Sequence, residues 1–133
     1  MGKRQTGRKL AMQMLFQLHF EEVKNNKGTI TPIKEEAVLN DSQEFGKSLA
    51  SETWKNIITV DKLIKRYAID WDLERMSLVD KSLLRLAFYE LLYTETDEKI
   101  IVNEAIELAK KFSTIEAPGF INGILGSYLK DHV

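Results

Sequence analysis

Histidine, the side chain best suited to acid–base and metal chemistry near neutral pH, occurs only twice in this chain of 133 residues, as His19 and His132. Neither completes a Glu-x-x-His pair, because positions 16 and 129 are Phe and Leu, so the ligand pattern of di-metal carboxylate bundles is missing. A Ser-His-Asp set needs an imidazole near its partners. Cysteine is absent, and no segment matches the pattern of a Gly-rich phosphate-binding loop. The sequence therefore predicts no catalytic site, no metal site and no cofactor.

Positive charge is concentrated at the N-terminal end. The net charge is -1, but residues 1–20 hold four bases and no acid, while residues 21–133 hold 15 bases and 20 acids. The four bases are Lys3, Arg4, Arg8 and Lys9. A basic end on a mildly acidic body is a common electrostatic footprint for a polyanion.

An aromatic side chain lies among these bases. Residues 10, 14 and 18 form an apolar helical stripe, and the flank beside it carries Arg8, Lys9, Met12, Phe16 and His19. Lys3 and Arg4 extend this flank in a basic N-terminal arm over 1–9. Cations attract phosphates while an unstacked base lies on an aromatic ring, so the pattern favours single-stranded nucleic acid. Alternatively, Phe16 packs under a neighbouring helix and the four bases serve solubility.

The composition indicates one all-α domain over residues 1–133. Hydrophobic residues make up 44% and charged residues 29%, as in globular proteins, and no apolar run approaches the ~20 residues of a membrane span. Runs rich in Leu, Ala, Lys and Glu favour helix. No secretory signal is recognisable, although a transit peptide stays open. The absence of cysteine allows a reducing compartment, and we expect the cytoplasm.

Apolar periodicity and capping patterns predict the helices. The predicted segments are a helix over 4–23, a loop over 24–34, one long helix over 42–68, a buried central helix over 78–93, and helices over 101–112 and 118–129. Ser77, with Asp80 three residues later, marks the start of the central helix. Within the central helix, Arg85 and Glu90 must be paired or reach water. A helix-end contact or ion pair is favoured for Glu90, whereas the long stem of Arg85 allows it to reach a surface.

Two further residue types receive a structural interpretation. Trp54 and Trp71 are expected to pack in the core or at a hinge. Gly123 and Gly126 are costly inside a helix relative to alanine, so they predict a close helix contact in the last helix.

Taken together, four segments resemble the NusB family of bacterial transcription antitermination factors. They are RKLAMQMLFQ at 8–17, LLRLAFYELL at 83–92, IVNEAIELAKKF at 101–112 and GFINGIL at 119–125. The resemblance implies a compact helical bundle of about six or seven helices without catalytic activity. It also implies binding of the boxA element of nascent RNA, together with the small-subunit ribosomal protein that serves as NusE. Such complexes join elongating RNA polymerase with other Nus factors and suppress termination in ribosomal RNA operons.

The resemblance also assigns positions to the RNA surface. Arg4 and Arg8 match an arginine-rich stretch, Phe16 matches an aromatic position, and Glu116 matches an acid before the last helix. Asp80, Arg85 and Phe120 match positions near the RNA surface. Combined with the basic flank, the expected RNA-binding residues are Lys3, Arg4, Arg8, Lys9, Phe16, His19, Asp80, Arg85, Glu116 and Phe120. Gln5 and Thr6 occupy positions of the arginine-rich stretch, so this chain has fewer cations there. We therefore expect the partner protein, docked on the C-terminal helices, to supply much of the binding energy.

Four other interpretations remain open from the sequence. The chain could be a helical module that binds only protein, or a ribosomal RNA maturation and assembly factor. It could be the recognition domain of an RNA methyltransferase, although the chain ends without room for an α/β cofactor domain. A homodimer could cover the Phe16 surface when RNA is absent.

Overall fold

A computed structural model describes residues 3–25, 40–69 and 71–132, and within these ranges it contains only helical elements. The six α-helices are α1 (Lys3–Asn25), α2 (Asn40–Lys55), α3 (Ile57–Tyr67), α4 (Leu78–Tyr93), α5 (Glu98–Phe112) and α6 (Ala117–Asp131), with a short 3-10 helix at Leu73–Arg75. The predicted all-α class with six or seven helices is confirmed. Most of the predicted loop at 24–34 lies outside the described residues. None of the described helices is long and apolar enough to cross a membrane.

Two compact units make up the chain, Met1–Lys55 and Asn56–Val133. The division falls inside the segment 42–68, where the sequence predicted a single helix. That prediction is wrong, because Asn56 leaves the helical conformation at φ -106° and ψ 21° and becomes the N-cap of α3. Its carbonyl oxygen accepts a hydrogen bond from the Val60 N–H at 3.0 Å. The extent of a single domain over 1–133 stays a prediction.

In the first unit, two glycines allow α1 and α2 to approach each other closely. A Cβ atom on Gly46 would lie 2.8 Å from the carbonyl oxygen of Gly7 and 3.1 Å from the Leu10 Cβ. A Cβ on Gly7 would overlap the ring of Phe45. The crossing of these helices therefore requires the absence of a side chain at both positions.

The close helix contact predicted at Gly123 and Gly126 is wrong. Both glycines are exposed on α6, and no atom of the described residues lies within 4 Å of a Cβ atom built on either. A glycine within a helix allows another helix to pack closely against it. Whether such a contact forms depends on the position of the neighbouring helix.

In the second unit, α4 is the central helix, as predicted. It contacts α3, α5 and α6, and ten of its 16 residues are buried. Its start is fixed by Ser77, whose Oγ accepts a hydrogen bond from the Asp80 N–H at 3.1 Å. This N-cap places Asp80 in the first turn, at the beginning of a helix that is apolar nearly all round.

An aromatic cluster ties α3, α4 and α6 together. The Tyr67 ring lies 6.5 Å from that of Phe88 and meets the Tyr128 ring edge to face at 5.5 Å. The Tyr67 hydroxyl donates a hydrogen bond to Asp131 Oδ2 at 2.9 Å. Burial and the Asp131 carboxylate both raise the pKa of Tyr67 above its ordinary value, which keeps the hydroxyl protonated as a donor.

The glycine crossing generates a stability prediction with an internal control. Gly46→Ala is expected to destabilise the protein by roughly 1 to 2 kcal/mol, because overpacking against a backbone carbonyl exceeds the helix-propensity gain of alanine. Gly123→Ala makes the same chemical change in open space and is expected to stabilise by up to about 1 kcal/mol. Urea unfolding of both variants measures the difference, and a Gly46→Ala protein as stable as the unchanged chain would contradict the crossing.

Candidate nucleic-acid interface

The basic face of the first unit is helical from its first described residue. Helix α1 begins at Lys3, whose side chain lies outside the described part, so the predicted arm over 1–9 is helical from residue 3 onward. Arg4 is exposed, and its guanidinium carbon lies 4.6 Å from the centroid of the Phe45 ring on α2. Lys9 is half-buried. The backbone that carries Arg4 and Lys9 is thus helical rather than an irregular arm.

Arg8 is buried rather than exposed on the flank. Only 3% of the residue is accessible, and its guanidinium carbon lies 5.6 Å from the Phe45 ring centroid. A cation over an aromatic face is stabilised by the ring quadrupole, so Arg8 helps to pack α1 against α2. The helical wheel placed Arg8 on the flank correctly, but it contains no information on the helix that covers that flank. Its role in RNA binding stays a prediction.

Two exposed phenylalanines follow along α1. Phe16 is 40% accessible and Phe20, one turn later, is 57% accessible. His19 between them is half-buried. Residues four apart share a helix face, so the i, i+4 spacing could have identified Phe20 from the sequence. Phe16 is therefore not packed away beneath a neighbouring helix, and its ring can receive a base.

The second unit contains a pocket of about 310 Å³ at the start of α4 and of α6. Its walls also include the connection that follows α3 and the loop before α6. The lining residues are Trp71, Arg75, Met76, Ser77, Asp80, Thr114, Glu116, Ala117 and Phe120. Three of the predicted residues, Asp80, Glu116 and Phe120, are thus brought together, although they lie up to 40 positions apart in the sequence.

Trp71 is the residue of this pocket that sequence reasoning missed. It is 58% accessible, and its ring meets the Phe120 ring with centroids 4.8 Å apart and planes at 63°. The core alternative for Trp71 is therefore wrong, and packing at a hinge, the other alternative, stays a prediction. In the sequence, Trp71 lies between two acidic residues in a segment where the helical periodicity breaks. This pattern indicates exposure.

A hydrogen bond fixes the Asp80 carboxylate. The Ser113 hydroxyl, at the end of α5, donates to Asp80 Oδ1 at 2.6 Å, and the residue is 8% accessible. Glu116 is exposed and occupies the N-cap position of α6 without a side-chain capping bond. Among the described residues, no group of three or more His, Asp and Glu side chains is placed to hold a metal ion.

Arg85 lies outside this pocket. It is 5% accessible, and its Nε and Nη2 donate to the two carboxylate oxygens of Asp61 at 2.9 and 2.8 Å. Such a two-point pair has both geometric specificity and strength. Arg85 therefore joins α4 to α3, and its predicted contact with RNA stays a prediction.

The NusB family model matches residues 5–130. The chain belongs to the NusB family. A transcription antitermination protein NusB of a Nitratiruptor species is 40% identical over 99 residues, which is 74% of this chain and 71% of that protein. The structure of T. maritima NusB superposes with a TM-score of 0.81 at 33% identity, covering 96% of this chain and 91% of the other.

The fold is shared with a further solved structure, that of the antitermination factors NusB and NusE in complex with double-stranded RNA. The matched chain has a TM-score of 0.75 at 22% identity and covers 97% of both chains. The family resemblance inferred from four sequence segments is confirmed by the family model over residues 5–130.

Of the two N-terminal arginines, Arg8 is buried and Arg4 is exposed. Unfolding experiments can test this difference. Arg8→Glu is expected to destabilise the protein by about 2 kcal/mol or more, because it buries a carboxylate against the face of Phe45. Arg4→Glu changes an exposed residue and should stay within about 0.5 kcal/mol. Urea unfolding monitored by circular dichroism measures both. Equal effects of the two substitutions would contradict the assigned burial.

Proposed function

We propose that this chain is a non-catalytic transcription antitermination factor that binds boxA-type single-stranded RNA together with a NusE-type ribosomal protein. It acts in the cytoplasm on elongating RNA polymerase, with other Nus factors, in ribosomal RNA operons. The observation that carries the proposal is the family match over residues 5–130, with relatives named transcription antitermination proteins. The related structure of NusB with NusE and RNA supports the choice of both partners.

The first unit contributes charge and one stacking surface. Arg4 and Lys9, with Lys3 at the start of α1, attract the RNA phosphates, and Phe16 with His19 receives an unstacked base. The exposure of Arg4 and Phe16 supports these roles. Arg8 acts mainly by holding α1 against α2 through Phe45.

The second unit contributes the pocket residues. Phe120 offers a ring, and Asp80 and Glu116 offer carboxylate acceptors to the edges of bases. Arg85 pairs with Asp61 and so holds α4 against α3. It is thus a positioning residue in the proposal rather than a contact to RNA.

The small number of cations limits the affinity for RNA alone. The whole chain has a net charge of -1, and only a few exposed bases lie on the proposed surface. Because the phosphate backbone dominates nucleic-acid affinity, the partner protein has to supply a large share of the binding energy. Binding should therefore be salt-sensitive and tightened by the partner.

Fluorescence anisotropy of a short boxA-type RNA tests the function. The protein is titrated alone and with its cognate NusE-type partner, each at several salt concentrations. For single strands the slope of log affinity against log salt is negative, and each phosphate contact adds about 0.7 to its magnitude. The double variant Arg4→Glu, Lys9→Glu should therefore reduce the magnitude of the slope by about 1.4 and weaken binding at low salt.

A matched charge reversal serves as the control. Lys62→Glu with Lys65→Glu changes the charge equally at two exposed positions of α3, outside the pocket lining and not on the C-terminal helices. This variant should bind RNA as the unchanged protein does. If both reversals weaken binding equally, the basic face of α1 is not the RNA surface. If the folded protein binds no RNA with or without the partner, a module that binds only protein is the better account.

A further inference from the structure

In the first unit, the ring of Phe45 lies in a notch on α1. Gly7 has no side chain, and a Cβ atom at that position would overlap the Phe45 ring. Because glycine leaves the backbone of α1 uncovered there, the ring approaches α1 directly. The close crossing at Gly46, the next residue of α2, holds the backbone that carries Phe45 near α1. The position of the ring is thus set by the same crossing that packs the two helices.

Two arginines of α1 reach the same ring. Arg4 and Arg8 are four residues apart, so their side chains leave the same face of the helix. Their guanidinium carbons lie 4.6 and 5.6 Å from the centroid of the Phe45 ring, within the roughly 6 Å over which a ring face attracts a cation. Arg8 is buried, whereas Arg4 is exposed. The ring therefore contacts one cation that packs the helices and one that faces solvent.

A guanidinium beside an aromatic ring can still bind an anion. Its five N–H donors fan out in one plane, and a single ring on one side leaves most of them available. Arg4 can therefore keep its contact with Phe45 while it donates two parallel hydrogen bonds to a phosphate. The contact also restricts a side chain that otherwise has many rotamers, and a donor that is already restricted loses less entropy when it binds.

We propose that Phe45 is a positioning residue for RNA binding. Its ring holds the Arg4 guanidinium in the direction from which Arg4 binds a phosphate of the RNA. The inference rests on the proposed RNA-binding function and extends it to α2, because Phe45 makes no contact with RNA and acts through Arg4. The affinity for RNA then depends on the packing of α1 against α2 as well as on the charges of α1.

A double-mutant cycle tests this role by anisotropy of the boxA-type RNA, at low salt and with the NusE-type partner present. Phe45→Leu removes the ring and should weaken RNA binding by about 3- to 10-fold, because the Arg4 side chain is no longer restricted. In the Arg4→Gln background the same substitution should cause no further loss. In the Lys9→Gln background it should cause the full loss, since Lys9 lies about 200° around α1 from Gly7. Phe45→Tyr keeps the ring and should bind more tightly than Phe45→Leu.

The outcomes of the cycle separate the positioning of Arg4 from a general effect on the fold. If Phe45→Leu weakens binding equally in the Arg4→Gln background, the ring only packs α1 against α2, and the inference is overturned. It is also overturned if the Phe45→Leu protein, shown to be folded by circular dichroism, binds RNA as tightly as the unchanged chain. In both cases the proposed function stands. If the unchanged protein binds no RNA, the function and the inference are overturned together.

Nuclear magnetic resonance of the unchanged protein decides the question even where Phe45→Leu fails to fold. The ring current of Phe45 should shift side-chain proton resonances of Arg4 upfield in the free protein. On titration with RNA this upfield shift should persist, while the Arg4 Nε–H resonance should move as the phosphate contact forms. If the upfield shift disappears in the complex, Arg4 leaves the ring when it binds, and the inference is overturned. An Arg4 Nε–H resonance that does not respond to bound RNA overturns it as well.

Discussion

A guanidinium buried inside an apolar helix must be paired, and this requirement joins α4 to α3. Arg85 is 5% accessible and is held by both carboxylate oxygens of Asp61. Removing one partner from such a pair is strongly destabilising, because the other charge loses its compensation. The pair therefore fixes the position of α3 on the central helix, and with it the point from which the chain leaves α3 toward Trp71.

The pocket follows from where the helices of the second unit begin and end. The Ser77 N-cap starts α4 and places Asp80 in its first turn, while Ser113, just beyond α5, orients the Asp80 carboxylate. Glu116 lies at the start of α6. Carboxylates near helix N-termini are favoured by the helix dipole, so the acidic residues of the pocket are compatible with the helices that position them. Trp71 and Phe120, whose ring centroids are 4.8 Å apart, line the same pocket.

Patterns within a single helix predicted the fold well. The Ser77 and Asp80 pattern gave the start of α4, and uninterrupted apolar character gave its central position. Apart from the break at Asn56, the errors concern contacts between different parts of the chain. Whether Arg8 is covered depends on Phe45 of α2, and a wheel for α1 contains no information on α2. The break at Asn56 is a single non-helical residue within a continuous apolar pattern, and Trp71 lies in a connection whose partner, Phe120, is distant in sequence.

A double-mutant cycle on Arg85 and Asp61, with RNA affinity measured alongside the free energy of unfolding, tests the account most directly. If Arg85 acts only by holding α3 on α4, replacing both residues by apolar ones, as Arg85→Met with Asp61→Leu, should recover most of the stability lost in each single variant. That double variant should bind boxA-type RNA, with the NusE-type partner, as tightly as the unchanged protein. A stable double variant with RNA affinity as low as that of Arg85→Met alone would contradict the account, because it would show that the guanidinium itself contacts RNA.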